Sequence, residues 1–187
     1  VATSTESDAV LRVVYTSHDG QSERIALRIG ARLKASGAAV EVTRLDAAGT
    51  PPETAALVIL VAAIRYGYHL KPARLFARAW GGRTAPPLAV ASVCLTARKP
   101  NRRTAEDNVY LRGFLKRHDL RPVASVAIAG KLDYPRYSWY DRLMIRLIML
   151  MTRGPTDPTT VIEYTDWGQV DAFADDLAAR FGPKAAA

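Results

Sequence analysis

Residues 56–62 carry no polar side chain; the run reads Ala-Leu-Val-Ile-Leu-Val-Ala. A strand with one wetted face alternates apolar and polar residues, so an unbroken run of this length belongs inside a sheet covered on both faces. Parallel sheets are built that way, because each parallel connection carries a crossover, usually a helix, over one face. The rest of the chain supplies the parts. Residues 11–15, 39–45, 88–93 and 123–129 read as four further strands. Residues 22–36 place Ile25, Ile29 and Leu33 on one helical face and stop at Gly37. Residues 72–80 form a short helix, residues 104–117 a helix capped by Thr104, and Asp166 caps a last helix running to about residue 181. This alternation predicts an α/β fold: an open five-stranded parallel sheet, helices on both faces, right-handed crossovers.

One segment interrupts the alternation. Residues 130–160 separate the fifth strand from the last helix, and a connection that long inside a compact domain usually has a function. It contains Tyr134-Pro135-Arg136-Tyr137-Ser138-Trp139-Tyr140 and then a helical stretch, residues 141–152. Leu143, Ile145, Leu147, Ile148, Leu150 and Met151 spread around most of that helix, with Met144 and Met149 adding apolar area. Arg142, Arg146 and Arg153 punctuate it, and buried arginines must reach water. The helix therefore lies either on anionic lipid, with Trp139 and Tyr140 as aromatic neighbours, or against its own domain or a second subunit.

A chain of 187 residues, 49% of them hydrophobic, suits one well-buried domain. We read residues 1–9, small and polar, as a tail preceding a domain over residues 10–187. The lone Cys94 excludes an internal disulfide and a metal site built on paired cysteines, and it suits a reducing cytoplasm. The net charge of +8 attracts anionic partners: nucleic acid, anionic lipid or acidic small molecules. The aromatic-basic motifs of a nucleic-acid binder are missing, so no nucleic-acid partner is expected. No stretch reaches the roughly 20 apolar residues of a membrane span, and no secretory signal is seen.

The sharpest local motif follows the first strand: Thr16-Ser17-His18-Asp19-Gly20-Gln21-Ser22. A strand that empties into a hydroxyl- and glycine-containing loop and then a helix offers an anion site. Gly20 permits close backbone approach, Ser17 and Ser22 offer hydroxyls, and the helix start has free N–H groups. The loop lacks the glycine patterns of dinucleotide and nucleotide-triphosphate binders. It is either a monophosphate site or an ordinary capped β–α turn.

The spacing of Ser17, Gly20, Ser22 and Ala26 resembles the FMN-phosphate loop of flavodoxins, with Asp19 departing from the commoner hydroxyl residue. The likeness extends further. Ile64-Arg65-Tyr66-Gly67, Ala97-Arg98-Lys99-Pro100, Ala129-Gly130, Tyr134-Pro135-Arg136-Tyr137, Trp139-Tyr140-Asp141-Arg142 and Tyr164-Thr165-Asp166-Trp167 together resemble menaquinone-dependent protoporphyrinogen oxidase, a flavodoxin-like family of bacterial haem synthesis. The resemblance runs from about Val13 to the last helix. It implies that the chain binds FMN, oxidises protoporphyrinogen IX to protoporphyrin IX and passes electrons to menaquinone or another membrane quinone. It implies a cytoplasmic protein, peripheral on the inner face of the cell membrane.

Ligands of this fold sit outside the carboxyl ends of the strands. The expected FMN contacts are therefore Ser17, His18, Asp19, Gly20, Gln21 and Ser22; Ile64, Arg65, Tyr66 and Gly67; and Cys94, Leu95, Thr96, Ala97 and Arg98. The flavin carries the redox chemistry, so no nucleophilic constellation is needed. Arg65 and Tyr66 are the candidate catalytic residues: Tyr66 either stacks on the flavin or fills the loop, and Arg65 meets a substrate carboxylate, a reduced anionic flavin or only water. Arg98 and Lys99 are expected at the same mouth as anion ligands. Tyr134, Arg136, Tyr137, Trp139, Arg142 and Arg146 are the remaining candidates for substrate or membrane contact. His18, His69 and His118 have no metal-ligand spacing; His69 and His118 read as packing residues, and Cys94 as a small apolar one. Two other functions stay open: a flavodoxin-like NAD(P)H:quinone reductase, and a flavodoxin-type electron-transfer protein, which the basic charge and the insertion disfavour.

Overall fold

Residues 10–151 and 154–183 are described by the structure, a computed structural model. The expected tail (residues 1–9), Thr152 and Arg153 of the insertion, and residues 184–187 lie outside the described residues. The elements are β1 (Leu11–Thr16), α1 (Gln21–Ala35), β2 (Val40–Arg44), β3 (Leu57–Arg65), β4 (Tyr68–His69), α2 (Lys71–Trp80), β5 (Leu88–Val93), α3 (Val109–Arg117), β6 (Ala124–Ile128), β7 (Lys131–Asp133), α4 (Trp139–Met151), β8 (Val161–Glu163) and α5 (Trp167–Phe181). Short 3-10 turns occupy Leu95–Arg98, Pro100–Arg102 and Tyr134–Arg136.

The expected parallel sheet is present, in the order β2-β1-β3-β5-β6. Leu11 of β1 pairs with Val40 on one side and Leu57 on the other. The apolar run is its centre: Leu57 to Ala62 are 0% exposed. One face is filled by Ile25, Ile29 and Leu33 of α1 with Val170, Phe173 and Leu177 of α5. The other takes Phe76 and Trp80 of α2 with Leu111 and Phe114 of α3. The chain leaves β1 on the β2 side and returns on the β3 side, so the connections diverge and open a crevice at the ends of β1 and β3.

Three boundaries differ from the sequence reading. β3 continues to Arg65 because β4 folds back antiparallel on its end, pairing Ile64 with His69 and Arg65 with Tyr68. α3 begins at Val109, since Asn108 caps it by accepting from the Tyr110 and Leu111 N–H groups at 3.1 and 3.2 Å. Thr104 instead caps a preceding turn, its hydroxyl oxygen accepting from the Asp107 N–H at 3.2 Å. The insertion closes on itself: β7 pairs antiparallel with β8, matching Lys131 to Glu163 and Asp133 to Val161. Its helix starts two residues early, so Trp139 and Tyr140 form the first turn of α4.

The insertion has a small core of its own, Leu132, Tyr134, Tyr137 and Met149, against which Ile145 packs. The opposite face of α4 is bare. Tyr140, Leu143, Leu147 and Leu150 follow one another at helical spacing and are each more than half exposed, as is Met151.

Candidate functional site

The crevice begins where β1 ends. The Thr16 hydroxyl oxygen accepts from the Ala63 N–H at 3.1 Å and ties the ends of β1 and β3 together. Ser17 Oγ accepts from the Gly20 N–H at 3.0 Å, while Arg44 donates to the Ser17 carbonyl at 2.8 Å. Gly20 turns the chain with φ 88°, a left-handed angle that suits glycine, and α1 follows with no side-chain cap. The first helical bond runs from the Arg24 N–H to the Gly20 carbonyl, leaving the Gln21, Ser22 and Glu23 N–H groups without helical acceptors. Such a terminus attracts an anion. Asp19 is directed sideways to His18 Nδ1, 2.9 Å away. The Gln21 side chain does structural work, donating to Thr165 Oγ1 at 2.9 Å; Thr165 in turn donates to the Ala129 carbonyl at 2.7 Å.

The second wall is the β3–β4 hairpin. Tyr66 and Gly67 both have positive φ, 51° and 82°, as a two-residue turn between Arg65 and Tyr68 requires. The Arg65 guanidinium lies 5.2 Å from the centre of the Tyr66 ring and forms an ion pair with Asp141 of α4. Arg65 Nη1 and the Tyr66 hydroxyl are buried and have no partner among the described residues. Tyr110, in the first turn of α3, stands behind Gly67.

The third wall follows β5. Cys94 Sγ lies 3.2 Å from Thr96 Oγ1 and 3.4 Å from Asn108 Nδ2, an amide that also donates to the Arg102 carbonyl at 2.9 Å. Here the placement departs from expectation. The 3-10 turn rotates Ala97 into the core, where it is 0% exposed. Arg98 folds back to donate to the Leu95 carbonyl at 3.0 Å, and Lys99 points to solvent. Ala97, Arg98 and Lys99 therefore stand outside the cleft wall, whereas Cys94, Leu95 and Thr96 line it.

The insertion closes the fourth side with Lys131, Tyr137, Ile145 and Ile148. The space between these walls, open solvent included, is about 930 Å³. Tyr134 is a core residue whose hydroxyl donates to the Pro155 carbonyl at 2.9 Å. Tyr137 meets it edge to face, with ring centres 5.9 Å apart. Burial raises the pKa of both phenols, so they stay protonated. Arg136 joins Arg24 and Arg44 around a polar recess on the outer side of the Ser17–Ser22 loop, where Gly20 is found. Trp139 is 79% exposed and Arg146 is exposed. Arg142 reaches the Tyr137 carbonyl at 3.5 Å. Sequence reasoning missed Tyr110, hidden by the misplaced start of α3, and Lys131. It had Ile145 and Ile148 in the apolar count of α4 without knowing which face turned inward.

The histidines at residues 69 and 118 pack. His69 Nε2 bonds Ser92 Oγ at 2.9 Å and its ring stacks on Phe114 at 4.0 Å. Burial, with nearby His118 and Arg74, lowers its pKa to about 3. His118 meets the other edge of Phe114 at 5.1 Å.

The pattern of the flavodoxin domain family matches residues 12–159. A protein of Escherichia coli strain K12 named protoporphyrinogen IX dehydrogenase (quinone) is 40% identical over 168 residues, 89% of this chain and 93% of that one. The chain belongs to the flavodoxin-like protoporphyrinogen IX dehydrogenase family. Solved structures agree on the fold. A flavodoxin of Streptococcus pneumoniae TIGR4 superposes with a TM-score of 0.51 at 15% identity, covering 92% of this chain and 99% of that one. Rubredoxin oxygen:oxidoreductase of Desulfovibrio gigas gives 0.55 at 13% identity, over 96% of this chain and 37% of that one.

Membership makes this protoporphyrinogen IX dehydrogenase relative a flavodoxin-like oxidoreductase, and FMN is the cofactor of its flavodoxin fold. The cleft has the features an FMN needs. Free N–H groups and a left-handed glycine form one end. Tyr66, Leu95, Ile145 and Ile148 supply aromatic and apolar walls, and Arg65 brings a cation beside them.

Proposed function

We propose that this chain holds FMN in the cleft between the β1, β3 and β5 loops and oxidises protoporphyrinogen IX, with a membrane quinone as acceptor. The observation that carries the reading is near-full-length similarity to a dehydrogenase of that name, joined to a cleft walled on one side by the insertion. FMN, when bound, supplies the two-electron redox chemistry. The α1 N-terminus and the Ser17 loop would hold the phosphate, and Tyr66, Cys94, Leu95 and Thr96 would flank the ring. Arg65 would bind a propionate of the substrate, a charge-assisted contact of about 1.5–3 kcal/mol. Tyr137, Ile145 and Ile148 would exclude water and offer an apolar surface to the macrocycle.

The acceptor side of the proposal rests on the bare face of α4. Tyr140, Leu143, Leu147, Leu150 and Met151 are exposed together, and a chain of net charge +8 is drawn to anionic lipid. No helix among the described residues is long and apolar enough to cross a membrane, so this face would lie in the lipid interface.

The test is the absorbance spectrum of the purified protein with identification of the released cofactor, followed by rapid-mixing reduction. Protoporphyrinogen IX is expected to bleach the flavin much faster than NADH or NADPH does, and an added quinone to restore it. Faster reduction by a nicotinamide would turn the assignment to a quinone reductase. A flavin that no tetrapyrrole reduces would leave an electron carrier.

A further inference from the structure

We propose that Asp141 occupies a carboxylate subsite formed by Arg65 and Tyr66, and that a carboxylate of the ligand displaces it, releasing α4 from the cleft wall. This deepens the reading above and rests on it.

The guanidinium of Arg65 presents two adjacent N–H edges suited to both oxygens of one carboxylate. Only half of that capacity is used. Nη2 pairs with Asp141, while Nη1 is buried and has no partner among the described residues. The neighbouring Tyr66 hydroxyl is likewise buried with no partner among them. Unpaired donors shut away from water are rare in folded proteins, and two on adjacent residues, with the guanidinium 5.2 Å from the phenol ring centre, mark a recognition site imperfectly filled. A carboxylate able to take both guanidinium edges and the phenol would satisfy all of them, which Asp141 does not.

Asp141 is the removable partner because of where it sits. It lies in the first turn of α4, where its N–H donates to the Ser138 hydroxyl oxygen at 3.2 Å. Arg65 ends β3 just beyond its last pairings with β1 at Ala62 and with β5 at Ala63, and it is held there by pairing with Tyr68 in the β3–β4 hairpin. The ion pair therefore joins the end of the central strand to the inserted helix. Both side chains are 17% exposed, so the contact is partly shielded from water and from salt. Exchange of one carboxylate for another at Arg65 keeps the charge balance and frees α4, whose inner residues Ile145 and Ile148 line the same cleft. Asp141 is thus a positioning residue, and its competition with the ligand sets the affinity for carboxylated tetrapyrroles.

The experiment uses the FMN-loaded protein and measures binding of mesoporphyrin IX, a stable dicarboxylate, and of its dimethyl ester. Asp141→Asn keeps the size and removes the competing charge. Its expected effect is about tenfold tighter binding of the free acid, one charge-assisted bond's worth, with the ester unchanged. Arg65→Gln should weaken the free acid and leave the ester unaffected. A second reading is hydrogen exchange of the α4 amides: faster in Asp141→Asn, and faster in the wild type once the free acid binds. Equal changes for acid and ester would make Asp141 a helix-capping residue only, and unchanged exchange would refute the latch. If no variant binds either porphyrin, the substrate reading falls. Exchange in the ligand-free Asp141→Asn protein then still decides whether the pair holds α4 down.

Discussion

At Gly20 the backbone turns with φ 88°, and a Cβ placed there would meet nothing within 4 Å. A valine at this position would therefore meet no protein atom at its Cβ. The geometry moves the penalty to the backbone, because β-branched residues are strained at this angle. Gly20→Val should cost about 1–3 kcal/mol locally and shift the loop. The protein should remain folded by circular dichroism yet lose its flavin on gel filtration; undiminished flavin would remove the loop from the phosphate assignment. His69 offers a different residue-scale test. Its folded pKa, about 3, lies below the ordinary 6.5. Below pH 6.5 the unfolded chain therefore binds the proton first, and stability falls as pH drops from there towards 3. Between pH 7 and pH 5 this single group should remove about 2 kcal/mol. Urea melts of His69→Gln should show a shallower loss over that interval than the wild type, and parallel slopes would mean the imidazole titrates freely in the fold.

Among the elements, α1 is held to β2 by the absence of a side chain. A Cβ on Gly30 would stand 2.4 Å from Val42 Cγ2, and valine is too stiff to turn aside. Alanine favours a helix by about 1 kcal/mol over glycine, but overpacking costs about 1–3 kcal/mol, so Gly30→Ala should destabilise on balance. Adding Val42→Ala should recover much of that loss in denaturant melts. An additive pair of losses would show that α1 and β2 yield independently. The ion pairs Arg28–Asp171 and Arg32–Asp175, which bridge α1 to α5 in bidentate geometry at 2.7–2.9 Å, are partly exposed, so water and salt screen them. The apolar face shared by Ile25, Ile29 and Leu33 holds that helix pair.

At the scale of the molecule, the chain combines a conventional two-faced sheet with one face of α4 that no described residue covers. If that face seats in lipid, anionic vesicles should sediment the protein in two components. The basic charge, about 1 kcal/mol for each arginine or lysine near the surface, should be lost in salt. The part from Leu143, Leu147 and Leu150 should persist. Replacing those three by serine should abolish the salt-resistant fraction while the flavin spectrum stays unchanged. Retention of that fraction by the serine variant, or no sedimentation of the wild type, would assign the face to packing against another protein surface.

The sheet, its strand count and the helix faces were legible in the sequence because they depend on periodicity, which is local: an apolar run at residues 56–62 or a repeat of Ile25, Ile29 and Leu33 has one good burial solution. The Ser17–Ser22 loop was legible for the same reason, as a strand, a turn and a helix in succession. What local pattern could not supply was orientation around a turn. The 3-10 geometry after Cys94 sends Ala97 into the core and carries Arg98 and Lys99 off the cleft, although all three sit beside residues that line it. Nor could it supply partners distant in the chain. Arg65 and Asp141 meet only because β7 and β8 close the insertion and fold α4 back over the end of β3. Composition counted the apolar residues of α4 correctly. Packing against Leu132, Tyr134 and Tyr137 then chose which of them face the cleft and which are left to the solvent, since a helix apolar all round carries no internal preference for either side.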